Sequence, residues 1–328
     1  MPNKNFSSKD HSNEYEFYFD QIFDNKIDDN SIKEFLININ LQQIPTSAIS
    51  GAVNSLQKRM IEIPNHQDSI DVCGTGGDKL NTLNISTAVA IILASIGIKV
   101  AKHGNVAVSS KSGSADIFKN LGINFSNDIN IINHQLNNKN LSFLFAPFFH
   151  PSLKKLAEIR KSINEPTIFN YIGPLLNPAR PNKQIIGTSK FNTMQKIADF
   201  FAKNRPQSHI YIVHGEDGMD EISISSQSFL LEVANGKINK MQKINPENYG
   251  LKIHPISSII GKDSQYNTQE MLELFAGKHS PYRDIVCLNT AFALKLFEKF
   301  TNIEDGIKYI NDILNSKTTL DYLKNYNF

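Results

Sequence analysis

The chain has 328 residues, of which 40% are hydrophobic and 20% are charged, and its formal net charge is +2 at pH 7. This is the composition of a globular protein, and the nearly balanced charge argues against a nucleic-acid-binding or membrane-binding surface. No apolar run approaches the roughly 18 residues that a membrane span needs. The only two cysteines, Cys73 and Cys287, stand far apart in apolar settings, as expected for reduced residues of a cytoplasmic protein.

The first part of the chain is predicted to be helical. Residues 1–14 are polar and are expected to form a disordered tail rather than a secretory signal. From 15 to 66, apolar residues recur at helical spacing, which predicts a helical lobe, and Thr46 is the expected N-cap of its last helix. The segment 63–68 breaks this pattern and is predicted to be a hinge.

From Ser69 the pattern changes to alternating strands and helices, which predicts an α/β lobe over 69–328 with a mainly parallel central sheet. A hairpin is predicted around Asn235-Gly236, a strong turn signal, and the chain is helical again from Thr268. The predicted strands are 69–73, 98–102, 141–146, 184–188 and 209–214, and the predicted helices are 86–96, 114–121, 129–138, 152–162 and 192–204.

A glycine-rich turn, Gly74-Thr-Gly-Gly-Asp78, joins the first predicted strand to the start of a helix, where Asn84, Ser86 and Thr87 are good capping residues. Free backbone N–H groups and the positive end of the helix dipole then surround one small volume, which is an anion site, most naturally for phosphate. The turn matches neither the P-loop nor the dinucleotide-binding pattern. The alternative for this turn, taken alone, is a plain structural turn, which is less favoured than an anion site.

A second polar loop follows the next predicted strand. Hydroxyls, lysines and glycine-freed amides suit a phosphate-rich ligand, because each donates a hydrogen bond without adding bulk. The ordinary alternative for such a loop is a solvated turn with helix-capping serines. The clustered residues that favour a ligand are Lys102, Asn105, Ser109, Ser110, Lys111 and Ser114.

Taken together, these motifs resemble the anthranilate phosphoribosyltransferases of tryptophan synthesis. The resemblance runs in order from about residue 15 to the C-terminal helix, and several ordered motifs are far more specific than any single one. The motifs are Gly74-Thr-Gly-Gly-Asp78, Asn84-Ile-Ser-Thr87, Lys102-His-Gly-Asn105, 109–116, Phe145-Ala-Pro147, 170–178, 214–221 and 281–294.

The resemblance implies a small all-helical N-terminal lobe, joined by helices near 165–185, that packs on a larger α/β lobe with the active site in the cleft between them. It implies a homodimer that transfers the phosphoribosyl group of 5-phosphoribosyl-1-diphosphate to anthranilate and releases pyrophosphate. Catalysis of this kind depends on positioning and electrostatics, so no single catalytic side chain is assigned.

The resemblance also implies Mg²⁺, with two ions per subunit. Asp220 and Glu221 follow the last predicted strand of the sheet and supply the hard oxygen ligands that Mg²⁺ prefers, and the Ser86 hydroxyl joins them. His214 is expected to be structural, because Mg²⁺ disfavours imidazole.

The same resemblance assigns the substrate contacts. Arg160 is expected to grip the carboxylate of anthranilate through its guanidinium group, with Gly74, Asn105 and His150 completing the acceptor pocket. The residues expected to hold the donor are Gly74, Gly77, Asp78, Thr82, Asn84, Ile85, Ser86, Thr87, Lys102, His103, Gly104, Asn105, Ser109, Ser110 and Ser114.

Val106 departs from the family pattern, because an arginine usually follows Lys-His-Gly-Asn. Two alternatives therefore stay open. One is a pyrimidine nucleoside phosphorylase of the same two-lobe fold, which would need neither the acidic pair nor Arg160. The other is a catalytically altered relative that binds nucleic acid or another acceptor, and Val106 is the feature that favours it.

Overall fold

The computed structural model describes residues 11–39, 44–106, 112–163 and 165–326. The chain begins with three helices, α1 (Ser12–Phe23), α2 (Asp29–Asn38) and α3 (Thr46–Gln57). Helix α1 includes Ser12, Asn13 and Glu14, which the sequence pattern assigns to a disordered tail. The predicted tail is therefore wrong for these three residues, and residues 1–10 lie outside the described part of the chain.

The predicted N-cap of α3 is displaced by one residue. Pro45 occupies the cap position with extended backbone, and Thr46 is the first helical residue, whose hydroxyl donates to Asp199 at 3.4 Å. Proline favours this extended conformation at the helix boundary, and no side-chain hydrogen bond caps the helix there. Helix α2 follows the usual rule, because the Asp28 carboxylate accepts a hydrogen bond from the Ser31 backbone N–H.

The strand and helix alternation predicted from Ser69 is confirmed, with every predicted element found to within two residues at each end. Short 3-10 turns separate the fourth strand from the helix before it. The elements are β1 (Ile70–Gly74), α4 (Ile85–Ser95), β2 (Val100–Gly104), α5 (Ser114–Asn120), α6 (Ile129–Asn138), β3 (Leu141–Phe145), α7 (Ala146–Phe149), α8 (Leu153–Lys161), β4 (Lys183–Gly187), α9 (Phe191–Asn204) and β5 (His209–Gly215).

The five strands named so far form the parallel part of one sheet, in the order β3-β2-β1-β4-β5. The remaining strands, β6 (Ser228–Ala234), β7 (Lys237–Ile238) and β8 (Gln242–Ile244), are antiparallel. The predicted hairpin is confirmed, because Asn235 and Gly236 both have positive φ between β6 and β7. The chain runs outward from β1 on one side and returns to its other side at β4, and such a switch point is where open α/β sheets bind ligands.

The sheet separates two hydrophobic cores. Along β5, Tyr211 and Val213 face one core while Ile210 and Ile212 face the other, as the alternation of side chains in a strand requires. The first core contains α4, α5 and the late helices, and the second contains α9 and the three N-terminal helices. In the described part of the chain, no helix combines the length and apolar character that a membrane span requires.

The expectation of helices near 165–185 needs a correction. It contains two 3-10 turns, Ile168–Asn170 and Gly173–Leu176, in place of the predicted helices. Gly173 and Pro174 begin the second turn and disfavour a longer helix. Side chains from both turns nevertheless pack in the same core as α1, α2 and α3.

Four late helices complete the fold, α10 (Ser264–Phe275), α11 (Pro281–Leu296), α12 (Ile303–Asn315) and α13 (Thr318–Tyr326). The first begins four residues before the predicted helical start at Thr268. Arg283 on α11 is 1% exposed and joins this layer together. Its three guanidinium nitrogens donate to Gly277 O, to Asn311 Oδ1 and O, and to Asn315 Oδ1, at 2.7–3.0 Å.

We expect Arg283→Met to lower the free energy of unfolding by about 3 kcal/mol, because it leaves buried carbonyl groups without donors. Urea unfolding measures this loss. Lys308→Met on the exposed face of α12 is the control, and it should change the unfolding free energy by less than about 0.5 kcal/mol. Equal stability of the two variants would contradict the structural role of Arg283.

Candidate active site

The site is built around a close backbone approach at the switch point between β1 and β4. Gly74 and Gly187 are paired at the carboxyl ends of these strands, and Asp220 lies against both. A Cβ atom on Gly187 would be 1.5 Å from the Asp220 carbonyl oxygen, and one on Gly74 would be 2.1 Å from its Oδ2. No side chain fits at either position. Gly187 is absent from the sequence-based prediction, and the signal that could reveal it is a glycine at the end of a central strand.

Three carboxyl groups, those of Asp78, Asp220 and Glu221, are neighbours beside the glycine turn. Asp220 Oδ2 accepts a hydrogen bond from Gly76 N at 2.7 Å, and Glu221 Oε1 accepts one from Ser86 N at 3.1 Å. Burial raises the pKa of Asp220 and of Glu221, and a neighbouring carboxylate raises each further. Burial also raises the pKa of Asp78. The group is thus a set of desolvated acids that a cation would stabilise.

Two of the backbone N–H groups that the sequence predicts to be free have partners within the protein. The N–H groups of Gly76 and Ser86 donate to the acidic pair. Asn84 holds the N-cap position of α4, but its side chain does not cap the helix. Its amide instead donates to Ser112 O at 3.2 Å and accepts from Asn267 at 3.0 Å, so it ties the helix start to α10.

Lys102 is a buried cation among these acids. Its Nζ donates to Val72 O at 2.5 Å and to Ser86 Oγ at 3.2 Å. Asp71, fully buried on β1, accepts hydrogen bonds from Asn177 Nδ2 at 2.8 Å and from His103 N at 3.3 Å. Burial raises the pKa of Asp71 to about 6, while Lys102 opposes this shift. Asp71 and Asn177 were not among the predicted site residues, because their pairing joins distant parts of the chain.

The other residues predicted to bind the phosphoribosyl donor lie in different local environments. Gly77 has φ +80, which the turn requires, and Thr82 pairs with Ile260 through an isolated bridge. Ile85 and Thr87 are buried in the first turn of α4. A Cβ atom on Gly104 would be 3.5 Å from the Cβ of Ser114, which places this loop start beside β2. Ser109, Ser110 and Lys111 lie outside the described residues.

A pair of buried histidines lies next to this group. His103 on β2 and His150 after α7 face each other, with their Nε2 atoms 3.3 Å apart, so one imidazole donates and the other accepts. Burial lowers the pKa of His103 to about 3, helped by the nearby His150, and burial lowers the pKa of His150 to about 4. Both rings are therefore neutral near pH 7. The backbone N–H of His103 bonds to Asp71, which links the pair to the acidic side of the site.

Arg160 on α8 is half-buried, and its guanidinium carbon lies 5.5 Å from the centre of the Phe169 ring. Burial lowers its pKa. The described residues provide no carboxylate partner for it, so its charge is available to a ligand. The contacts do not join Arg160 directly to the acidic group. Asn105 is exposed, and its Oδ1 accepts a hydrogen bond from the N–H of Val106 at 2.8 Å.

The loop that carries Asp220 and Glu221 is fixed from behind. Asn289 on α11 donates to Ile222 O at 2.9 Å and accepts from Ile222 N at 3.0 Å, which clamps both backbone groups of the residue after Glu221. Asp217 accepts from Ser223 Oγ at 2.6 Å and closes the same loop. His214 Nδ1 lies 2.7 Å from Thr188 O, so this imidazole holds neighbouring strands together.

Comparison with known proteins identifies the family. A protein-family model, described as "glycosyl transferase family, a/b domain", matches residues 66–320 of this chain. An anthranilate phosphoribosyltransferase of Bacillus cereus (strain B4264) is 39% identical over 297 residues, which are 90% of this chain and 86% of that protein. The chain belongs to the anthranilate phosphoribosyltransferase family.

Other anthranilate phosphoribosyltransferases extend the match. That of Thermoanaerobacter sp. (strain X514) is 37% identical over 98% of this chain and 95% of its own length. The Saccharomyces cerevisiae enzyme, solved in complex with PRPP and Mg, superimposes with a TM-score of 0.88 at 26% identity over 97% of this chain and 92% of that one. The Thermus thermophilus enzyme also gives a TM-score of 0.88 at 26% identity, over 97% of this chain and 94% of that one. Neither a nucleoside phosphorylase nor a non-catalytic relative is favoured by these matches.

The side chains fit a divalent cation. The described residues bring no group of three histidine, cysteine, aspartate or glutamate side chains to one metal position. Two half-buried carboxylates and a nearby hydroxyl are instead what Mg²⁺ uses when substrate phosphates and water supply its other ligands. Desolvation is the main cause of the raised pKa values of Asp220 and Glu221, and neighbouring carboxylates add to it, so a cation would stabilise the charged form of both.

The buried histidine pair predicts a pH dependence of stability. Because the folded-state pKa values lie below the usual 6.5, the pair's contribution is complete above about pH 6.5 and is lost as the pH falls toward 4 and then 3. Each histidine should cost about 1.4 kcal/mol per pH unit in this window. The variant carrying His103→Gln and His150→Gln should therefore lose less unfolding free energy than the parent between pH 6.5 and 4.5. His134→Gln, at an exposed position, should keep the parent slope, and an unchanged slope in the double variant would contradict the prediction.

Proposed function

We propose that this chain transfers the phosphoribosyl group of 5-phosphoribosyl-1-diphosphate to the amine of anthranilate, which gives N-(5-phosphoribosyl)anthranilate and pyrophosphate in tryptophan synthesis. Family membership supports the reaction. The observation in this chain that carries the proposal is the acidic pair, Asp220 and Glu221, on the glycine turn at the switch point of the sheet. A donor with a monophosphate and a pyrophosphate requires such a meeting of backbone donors and cation-binding acids.

Positioning and electrostatics supply the catalysis in this proposal. The backbone of the turn at Gly74, Gly77 and Asp78 and the first turn of α4 hold the donor, and Lys102 adds a buried positive charge. The residues Thr82, Asn84, Ile85, Ser86, Thr87, His103, Gly104, Asn105, Ser109, Ser110 and Ser114 complete the proposed donor site. An aromatic amine needs little deprotonation to attack an oxocarbenium-like carbon, so a strong base is unnecessary.

Asp220, Glu221 and Ser86 are the proposed ligands of Mg²⁺, with two ions per subunit. The bound cation would neutralise charge that develops on the pyrophosphate leaving group. Ser86 is suited to this role because its hydroxyl is held by Lys102 while its N–H holds Glu221. The Saccharomyces cerevisiae relative was solved in complex with PRPP and Mg, which supports this assignment.

Arg160, Gly74, Asn105 and His150 are the proposed acceptor residues. A guanidinium without a carboxylate partner is suited to grip the carboxylate of anthranilate. Neutral His103 and His150 add no charge that competes with Arg160. A neutral imidazole near the amine is also able to receive its proton.

We propose that the enzyme is a cytoplasmic homodimer with a helical lobe over 15–66 and an α/β lobe over 69–328. The active site lies in the cleft between the lobes. The packing of the turns near 168–176 with α1, α2 and α3 supports the inclusion of this middle segment in the helical lobe. Val106 is 48% exposed where the family usually has arginine, so a weaker hold on the donor is expected here.

A fluorescence assay of phosphoribosyl-anthranilate formation tests the reaction with purified protein, both substrates and Mg²⁺. Turnover that stops with a chelator and returns with added Mg²⁺ is the expected result. Absence of turnover, with donor binding still detected by calorimetry, would overturn anthranilate as the acceptor. Absence of both would overturn the proposal as a whole.

The combined change Asp220→Asn and Glu221→Gln should lower kcat by at least about 100-fold and remove its dependence on Mg²⁺ concentration. The reason is that amides cannot supply the negative charge that holds the cation. Glu247→Gln, at an exposed carboxylate on the surface, is the control and should retain parent kinetics. Parent-like turnover and Mg²⁺ response in the double variant would exclude this metal assignment.

Arg160→Ala should raise the KM for anthranilate by about 10- to 100-fold, the value of a charge-assisted hydrogen bond, and should leave the donor KM nearly unchanged. Lys161→Ala removes an exposed neighbouring charge on the same helix and is the control. Steady-state kinetics with each substrate varied in turn separates the two constants. If both constants rise equally, Arg160 does not act on the acceptor carboxylate.

A further inference from the structure

A cavity of about 180 Å³ lies at the amino ends of the central strands, whereas the glycine turn lies at their carboxyl ends. Its lining comes from the segments just before β1, β4 and β5, whereas the turn and the acidic pair follow the carboxyl ends of these strands. The cavity is therefore separate from the proposed active site. Its polar lining residues are Glu62, Gln67, Arg180, Asn182, Arg205 and Gln207.

Arg205 is the central feature of this cavity. It follows α9, is 4% exposed, and donates from Nη2 to Arg180 O at 2.8 Å and to Pro181 O at 3.0 Å. Its Nε is buried without a hydrogen-bond partner among the described residues. Those residues also supply no acceptor for Nη1 and no carboxylate within ion-pair distance. Burial, together with a smaller effect of the nearby Arg180 charge, lowers the pKa of Arg205 to about 10.

Arg283 is a similarly buried arginine in this protein and provides a comparison, because its hydrogen-bond donors have acceptors. All three of its guanidinium nitrogens donate to backbone or side-chain oxygens. At Arg205 only one nitrogen does so within the described part of the chain. The Phe201 ring lies 5.8 Å from the guanidinium carbon of Arg205 and offsets part of its charge, but the described residues give it no counter-ion. A buried charge without a counter-ion is costly, which favours an anion in the adjacent cavity.

Two neighbouring groups bear on this inference. Asn182 Oδ1 is also buried without a partner in the described ranges; as an acceptor it suits the hydroxyl of a protonated phosphate and not an oxyanion oxygen. Arg180 adds a second positive charge, and its carboxylate contact in the same ranges is Glu62 at 3.1 Å, which is half exposed. We propose that this cavity binds a small oxyanion, either a carboxylate or a phosphate group, with Arg205 as its principal ligand.

Thermal unfolding of the full chain in phosphate or acetate, against chloride at equal ionic strength, tests the proposal. At ten times the apparent Kd, the oxyanion should stabilise the folded parent about tenfold, which raises Tm by a few degrees. Arg205→Met should abolish this gain, and its Tm in chloride should fall less than that of Arg283→Met, because the loss of the donor to Arg180 O and Pro181 O is offset by the removal of a charge without a counter-ion. Arg283→Met is the matched control, with lower Tm in chloride and an intact oxyanion gain.

Anions bound at the proposed active site stabilise the parent and Arg205→Met alike, so only the difference between them reports on this cavity. An equal gain in both proteins, or no gain in the parent, overturns the proposal. A gain with phosphate alone assigns a phosphate group, and a gain with acetate as well assigns a carboxylate. If Arg205→Met does not fold, Gln207→Glu provides the test: a carboxylate at the mouth of the cavity should raise Tm in chloride and reduce the oxyanion gain, and an undiminished gain overturns the proposal.

Discussion

The site depends on one constraint, the close packing of Asp220 against the backbone of Gly74 and Gly187. Two strands that are neighbours in the sheet both end in a residue without a side chain, and this opens a space only as wide as a backbone. The loop after β5 enters that space and delivers its acids directly to the glycine turn. Any Cβ atom at Gly187 would push the loop outward, because it would overlap the Asp220 backbone. The geometry of the site is thus determined by contacts with almost no tolerance.

Charge is the second organising factor. Asp71, Asp78, Asp220 and Glu221 are all desolvated, and burial raises the pKa of each. Lys102 is the buried cation that opposes this accumulation at Asp71 and at Glu221. A folded protein holds uncompensated acids of this kind only at a cost to its stability. The cost is reasonable where a cation and a polyanionic substrate bind together, because the acids then gain the partner that the protein alone does not give them.

Local sequence patterns were enough to predict the five parallel strands and, apart from α7, the helices between them, because each has the apolar spacing of its element and is bounded by turn residues. The glycine turn also stood out as a local pattern, whereas the resemblance to the family was needed to connect the acidic pair with Mg²⁺. Cap and turn details were harder: Pro45 displaced the predicted cap at Thr46, and 3-10 turns replaced helices near 165–185. These outcomes depend on a single proline or glycine within a few residues.

What sequence patterns could not reveal are the contacts that cross the molecule. Asp71 meets Asn177, and Asn289 clamps Ile222, although each pair is separated by more than sixty positions in the chain. A lone asparagine in a helix carries no local sign of such a role. The same holds for Gly187, since its importance comes entirely from a loop that arrives from beyond the next strand. Such residues become visible only when the fold brings their partners together.

The clamp by Asn289 has a consequence for how the protein is made. Helix α11 leaves the ribosome after the glycine turn and the strands of the sheet have been synthesised. Until α11 docks, the N–H and C=O of Ile222 lack the Asn289 side chain, and the acidic loop is held by its own bonds and by its contacts with Gly76 and Ser86. The sheet can thus form before this loop has its support, so the final geometry of the proposed metal site depends on an element that is synthesised after it.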